Sequence, residues 1–143
     1  MIKRVMSVMG DKGSDAPQKI TSIEVTPKAQ LTSEGINASV EIRNVSKQSV
    51  ELAFSSGLKY DFVLLDAQDK ELYRWSRGKF FTMALESISI RPGERITYSE
   101  KLSKDEIGLE AFEKAVTLRT VIPAKLDSKE NIREKIFQTK IIR

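Results

Sequence analysis

The chain has 143 residues, 40% of them hydrophobic, which is enough for one compact domain with a single core. It has no cysteine and no histidine, which excludes a Ser-His-Asp triad, a cysteine nucleophile, a disulfide framework and a zinc site with thiolate or imidazole ligands. The net charge of +4 comes from 24 basic and 20 acidic residues spread along the chain, a pattern that does not favour nucleic-acid binding. We therefore expect no metal, no cofactor and no enzymatic activity.

The first residues predict a tail rather than part of the domain. Residues 1–19 are rich in Gly, Ser, Asp, Lys and Pro and predict a flexible segment, and residues 20–143 predict one domain. Lys3 and Arg4 precede an apolar stretch as in a signal peptide, but that stretch stops at Gly10. No segment approaches the length of a membrane span. We expect a cytoplasmic protein, or an extracellular or cell-surface one if a leader is missing from this chain.

The dominant period of two predicts strands with one buried face. The first is "KITSIEVTP", residues 19–27, and the second is "INASVEIR", residues 36–43. The second strand places four apolar residues on one face: Ile36, Ala38, Val40 and Ile42. Residues 44–47 then predict a turn closed by the side chain of Asn44, which we favour over glycosylation although Asn-Val-Ser fits the acceptor pattern.

The next three strands surround two turns. "SVELAF" and "YDFVLLD" are separated by a turn at Gly57, and "DAQDKE" reverses the chain into "ELYRWS". The acidic residues of "DAQDKE" lack the oxygen spacing and the glycine of a calcium loop, so we expect a solvated turn there.

The stretch "ELYRWSRGKFF" contains Trp75, the only tryptophan of the chain. Tyr73 and Trp75 lie on the same face of a strand, and we predict that both belong to the core, in preference to a stacking platform for a ligand. Residues 76–79 then predict an exposed turn, after which Phe80 and Phe81 return the chain to the core.

The last part of the chain predicts further strands and one helix. "ESISI" and "RITYSEKL" flank a type II turn at residues 91–94, which contain Pro92 and Gly93. Ser103 and Glu106 form a capping box that predicts a short helix near residues 103–113. "AVTLRTVI" and "KIFQTKIIR" alternate again. Many short strands separated by turn residues predict an all-β sandwich.

Five motifs occur in order within residues 44–100: an Asn-x-Ser turn, "FSSGLKYDF", "YRWS", "KFFTMAL" and "PGE". The run that contains them, "NVSKQSVELAFSSGLKYDFVLLDAQDKELYRWSRGKFFTMALESISIRPGERITYSE", resembles the BsuPI family, the intracellular proteinase inhibitors of bacilli. This resemblance implies an immunoglobulin-like antiparallel β-sandwich and inhibition of an intracellular subtilisin-type serine protease. The partner it implies is that protease.

An inhibitor needs no catalytic residue, only a loop held in extended form on a rigid scaffold. If strand direction alternates along the chain, the connections at 29–35, 55–59, 76–79 and 103–114 lie at one end of the sandwich, and tight hairpins at 44–47, 67–70 and 91–94 lie at the other. Irregular loops displayed together are the usual binding surface of a sandwich.

We predict that a protease would contact two of these connections, because each carries a glycine that lets the backbone approach a partner closely. Leu58 either fills a hydrophobic specificity pocket of the protease or folds back as a lid on the sandwich. The predicted contact residues are Ser55, Ser56, Gly57, Leu58, Lys59, Ser76, Arg77, Gly78 and Lys79.

The alternative function is a non-catalytic binding or assembly module that uses the same sandwich to hold another protein, a cell-surface polymer or its own copy. In either case we expect a monomer or a weak homo-oligomer, with no nucleic-acid and no membrane partner.

Overall fold

The computed structural model describes residues 17–143. The strands in this range are β1 Gln18–Ile20, β2 Ile23–Thr32, β3 Gly35–Asn44, β4 Val50–Phe54, β5 Asp61–Leu65, β6 Glu71–Arg74, β7 Glu86–Ile90, β8 Arg95–Ser103, β9 Thr117–Val121, β10 Ala124–Leu126, β11 Glu130–Asn131 and β12 Phe137–Lys140. The helices are α1 Lys104–Ile107 and α2 Leu109–Lys114.

The strands form three antiparallel sheets around one core, and the all-β sandwich prediction is confirmed. The sheet orders are β1-β2-β3-β8, β11-β10-β4-β7 and β12-β9-β5-β6. The predicted inner face of β3 is at most 1% exposed at all four positions, because a period of two sends every second side chain into the core. β5 is buried at each of its positions and pairs with β9 on one edge and with β6 on the other.

The N-terminal strands differ from the sequence prediction in two places. The stretch at 19–27 is not one strand, because a turn at Thr21, whose φ is 49°, separates β1 from β2. The connection predicted at 29–35 is wrong, since β2 continues to Thr32 and forms a tight hairpin with β3. Gln18 and Lys19, which the sequence assigns to the tail, pair with β2. Of the remaining tail, Pro17 lies outside the strands, and residues 1–16 lie outside the described residues.

The turns at 44–47 and 91–94 lie together at one end of the sandwich. The backbone N–H of Asn44 donates to the Glu94 carbonyl at 3.0 Å, and the Gly93 N–H donates to the Asn44 carbonyl at 2.9 Å. Both turns connect strands of different sheets, so the prediction that they are hairpins is wrong. The predicted turn at Asn44 is confirmed: its Oδ1 accepts the Ser46 N–H at 2.8 Å, and the side chain is buried.

The predicted helix near 103–113 is confirmed, as two short helices that meet at Gly108, whose φ is 92°. The Ser103 Oγ accepts the Glu106 N–H at 3.1 Å, which is the expected cap. The prediction that this connection stays at one end is wrong. Lys104 bonds to the Glu34 carbonyl, whereas Val116 bonds to the Leu65 carbonyl at the opposite end of the sandwich. The two helices therefore cross from one end to the other, and β8 and β9 run in the same direction.

Candidate functional site

Two irregular loops meet at the end of the sandwich opposite Asn44. The short loop, residues 55–60, joins β4 to β5, and the long loop, residues 75–85, joins β6 to β7. The Gly57 N–H donates to the Thr82 carbonyl at 2.8 Å, which ties one loop to the other. The structure thus brings the two predicted contact segments, 55–59 and 76–79, to the same end of the molecule, and the bond between the loops runs from the first segment to Thr82, beyond the second.

The start of the long loop is held by Asp61, a buried carboxylate that is 3% exposed. Its Oδ1 accepts the N–H of Ser76 at 3.0 Å and that of Phe62 at 2.9 Å, and its Oδ2 accepts the Ser76 hydroxyl. The Arg74 guanidinium lies 3.4 Å from Oδ2. A buried carboxylate is stable only when it is paired and hydrogen-bonded, so this set of contacts fixes where the loop leaves the sheet.

Glu71 extends this network towards the loop surface. The Arg74 guanidinium bonds to Glu71 at 2.9 Å and lowers the pKa of its carboxyl group. Arg77, a predicted contact residue, pairs with the same carboxylate at 2.6 Å. The Arg77 side chain is still 68% exposed, so it remains accessible at this end.

The turn at residues 76–79 is closed by a 3.0 Å bond from the Lys79 N–H to the Ser76 carbonyl. Gly78 has a φ of 82°, a conformation in which a side chain would be strained. The Lys79 ammonium group lies over the Trp75 ring, 4.9 Å from its centroid, and 3.6 Å from Glu106 of α1. The Lys79 charge is therefore partly satisfied within the protein.

An aromatic stack links the long loop, through Tyr60 of the short loop, to strand β8. The ring of Phe81 lies 5.9 Å from Trp75, Trp75 stacks on Tyr60 at 5.1 Å, and Tyr60 stacks on Tyr98 of β8 at 4.7 Å. Burial and the neighbouring Glu100 carboxylate, which accepts the Tyr60 hydroxyl, raise the pKa of Tyr60. The prediction that Trp75 is buried in the core is wrong in extent: the chain leaves edge strand β6 just before it, and its ring is half-buried at the end of the sandwich.

The second half of the long loop carries three exposed apolar side chains. Phe80 is 99% exposed, and Met83 and Leu85 are each 83% exposed. The prediction that Phe80 returns to the core is wrong, whereas Phe81 does turn inward onto Trp75. In extended chain successive side chains point to opposite sides, so the inward position of Phe81 directs Phe80 outward.

The short loop packs closely against the long loop at Gly57. A Cβ atom at Gly57 would lie 2.6 Å from the Thr82 Oγ1, so a side chain at position 57 would force a shift where the two loops approach closely. Gly57 is not among the positive-φ glycines of the described chain, in contrast to Gly78. Leu58 is half-buried, and the Lys59 ammonium pairs with Glu86 at 2.5 Å, where β7 begins.

The sequence reasoning missed residues 80–85 as part of the candidate site. The available signal was a run of apolar residues, interrupted only by Thr82, that does not alternate with polar residues as the flanking strands do. Such a run between two strands fits neither an amphipathic strand nor a polar turn.

Residues 17–143 contain no group of three or more acidic residues arranged to hold a metal ion. No helix of the described part is both long and apolar enough to cross a membrane.

Similarity to solved structures is weak. A DUF1425 family member from Shewanella sp. pv-4 has a TM-score of 0.42 and 13% identity, and the match covers 81% of this chain and 94% of that one. A penta-heme cytochrome c552 from Thermochromatium tepidum has a TM-score of 0.46 and 12% identity, covering 73% of this chain and 32% of that one. A target of the Northeast Structural Genomics Consortium has a TM-score of 0.45 and 14% identity, covering 87% and 85%. All three scores lie below 0.5, and no functional conclusion follows from them.

A search of the curated proteins finds no match. A family model, BsuPI, described as intracellular proteinase inhibitor, matches residues 23–121, which is more than half of the chain. The match includes both loops of the candidate site and all motifs that carried the sequence resemblance. The chain therefore belongs to the BsuPI family of intracellular proteinase inhibitors.

Proposed function

We propose that the protein inhibits a subtilisin-type serine protease by inserting its long loop into the substrate cleft. The observation that carries this proposal is the exposed apolar segment at residues 80–85, which lies outside the strands but is held to the scaffold on both sides. Family membership supports proteinase inhibition in general. The protease class and the loop are our inference from this geometry and from the sequence resemblance.

The long loop has the properties that loop insertion requires. A protease binds its substrate in extended form, and residues 79–85 have no helix or strand pairing of their own. Phe81 is packed on Trp75, and the Thr82 carbonyl is bonded to Gly57. Because these contacts already order the loop, little conformational entropy remains to be lost on binding.

The proposed contact surface keeps the nine residues predicted from the sequence and adds three. Phe80, Met83 and Leu85 are placed at its centre, because large apolar side chains provide most of the binding energy when they enter a pocket. The residues around them are Ser55, Ser56, Gly57, Leu58, Lys59, Ser76, Arg77, Gly78 and Lys79. Leu58 is half-buried, which favours a supporting position over insertion into the specificity pocket.

Titration of a subtilisin-type protease with the purified protein tests the proposal. We expect stoichiometric loss of protease activity while the inhibitor chain stays intact. Phe80→Asp and Leu85→Asp should each weaken inhibition by about tenfold or more, because a carboxylate cannot enter an apolar pocket without a large desolvation cost. Both side chains are exposed, so thermal unfolding should barely change.

Ile142→Asp is the matched control. Ile142 is 63% exposed and follows Ile141, whose N–H bonds to the Val116 carbonyl at the opposite end of the sandwich. This variant should inhibit as well as the parent. Equal inhibition by the parent, the Phe80→Asp variant and the Leu85→Asp variant would show that the long loop is not the contact. Absence of inhibition together with self-association would favour the assembly module.

A further inference from the structure

Met83 is the sulfur-containing residue of the long loop. The sequence has no cysteine and four methionines, of which Met1, Met6 and Met9 precede the described residues. Within residues 17–143, Met83 is the one sulfur-containing side chain, and it is 83% exposed between the exposed Phe80 and Leu85. Its sulfur is therefore open to small dissolved oxidants.

We propose that Met83 is a reversible oxidation site, and that its oxidation by a peroxide switches off the inhibitory loop. In the reaction with hydrogen peroxide, the thioether sulfur attacks one oxygen and forms an S–O bond while the O–O bond breaks. The sulfur is oxidised by two electrons, the peroxide is reduced, and the departing hydroxide takes the proton of the transferred hydroxyl to give water. The product is methionine sulfoxide.

The position of Met83 decides what the added oxygen does. The long loop is held by Phe81 on Trp75 and by the Thr82 carbonyl on Gly57, and neither contact involves the Met83 side chain. Oxidation should therefore leave the fold and the shape of the loop unchanged. It should alter only the surface offered to a partner, by changing an apolar side chain into a strongly polar one.

The consequence for inhibition rests on the proposed function. A sulfoxide that enters an apolar pocket leaves its oxygen without the hydrogen bonds it has in water, so the complex should weaken by about tenfold or more. Reduction of the sulfoxide by a methionine sulfoxide reductase should restore binding, because no other covalent change has occurred. The loop would then inhibit more strongly under reducing conditions.

Peptide mapping after graded hydrogen peroxide treatment tests the chemical step. Trypsin releases residues 80–95 as one peptide that contains Met83 and no other methionine, because cleavage after Arg91 is blocked by Pro92. We expect this peptide to gain one oxygen at a rate near that of free methionine, while the melting temperature stays constant. A peptide that stays unmodified until the protein unfolds would overturn the proposal.

Inhibition assays on the same samples test the switch. The parent should lose inhibition in proportion to Met83 oxidation and recover it after reductase treatment. Met83→Leu, compared with its own untreated sample, should be insensitive to peroxide, and the Met6→Leu/Met9→Leu variant should remain as sensitive as the parent. Peroxide sensitivity that persists in Met83→Leu would assign the effect to another residue and overturn the proposal.

The assay separates failure of this proposal from failure of the proposed function. Untreated protein that inhibits, and continues to inhibit with Met83 fully oxidised, would refute the switch and leave the proposed function intact. Untreated protein that inhibits no subtilisin-type protease would refute the proposed function, and the switch with it.

Discussion

The contact between Gly57 and Thr82 predicts that Gly57→Ala lowers stability with threonine at position 82 and raises it with alanine there. In Gly57→Ala, the new Cβ would lie 2.6 Å from the Thr82 Oγ1, a distance that requires the Thr82 side chain or one of the two loops to shift. Adding a methyl group to a packed site typically costs about 1 to 3 kcal/mol. Gly57 is not in the left-handed region, so alanine also restricts the unfolded chain and contributes about 0.4 to 1 kcal/mol of stability. We expect a net loss of about 0.5 to 2 kcal/mol.

Thr82→Ala removes the atom responsible for the clash. The next nearest atoms to the added Cβ are the Thr82 nitrogen at 3.4 Å and a Glu86 oxygen at 3.6 Å, which are ordinary contact distances. In a Thr82→Ala background, Gly57→Ala should therefore stabilise the protein by about 0.4 to 1 kcal/mol. The coupling between the two substitutions should be about 1 to 3 kcal/mol, well above the error of additivity for independent sites.

Urea unfolding, followed by Trp75 fluorescence, measures all four members of this cycle. Gly93→Ala is the matched control, because Gly93 has a φ of 77° and a Cβ added there would meet no atom within 4 Å. Its cost of about 1 to 2 kcal/mol comes from backbone strain and should be the same with Thr or Ala at position 82. Equal destabilisation by Gly57→Ala in both backgrounds would refute the close contact of the two loops.

Three further predictions concern the end of the sandwich. Trp75→Ala should lower the free energy of unfolding by about 2 to 3 kcal/mol, because a half-buried ring loses its stacking on Tyr60; a loss below about 1 kcal/mol in urea unfolding would contradict this. Burial raises the pKa of all three tyrosines, so the neutral phenol is favoured in the folded state, and stability that is complete below about pH 10 should fall as the pH rises further. Tyrosinate absorbance should accordingly appear at higher pH in the folded protein than in the unfolded chain, and ionisation near pH 10 in the folded protein would be evidence against it. Asp61→Ala should cost about 2 to 3 kcal/mol and weaken inhibition, because Ser76 and Arg74 lose their buried acceptor; unchanged chemical denaturation would exclude that role.

The strands could be predicted from the sequence wherever one face is buried and the other is solvated. β3 is the clearest case, because four apolar residues at a period of two leave one possible orientation. The cap at Ser103 could also be predicted, since it depends on the local spacing to Glu106. In both cases the information lies within a few neighbouring residues.

Features that depend on distant contacts could not be predicted in this way. The apolar pattern at Phe80 and Phe81 fits a buried position for both, and only the place of Trp75 in three dimensions decides which ring turns inward. The hairpin of β10 and β11 is not predicted, because both strands are very short. β10 pairs with β4, which is far away in the sequence, and within residues 17–143 β11 pairs only with β10. β9 is antiparallel to β5 and therefore runs in the same direction as β8, whereas simple alternation along the chain predicts opposite directions for β8 and β9.

Because the long loop is attached to the scaffold on both sides, cleavage of a peptide bond within it should have little effect on the fold. A chain cleaved between Met83 and Ala84 would keep its new carboxyl end near Thr82, which is bonded to Gly57, and its new amino end would be two residues from Glu86, where β7 pairs with β4. Neither end would be released from the scaffold, so the fragments would stay associated and the two termini would remain within reach of each other. Such a nicked protein should melt within a few degrees of the intact one.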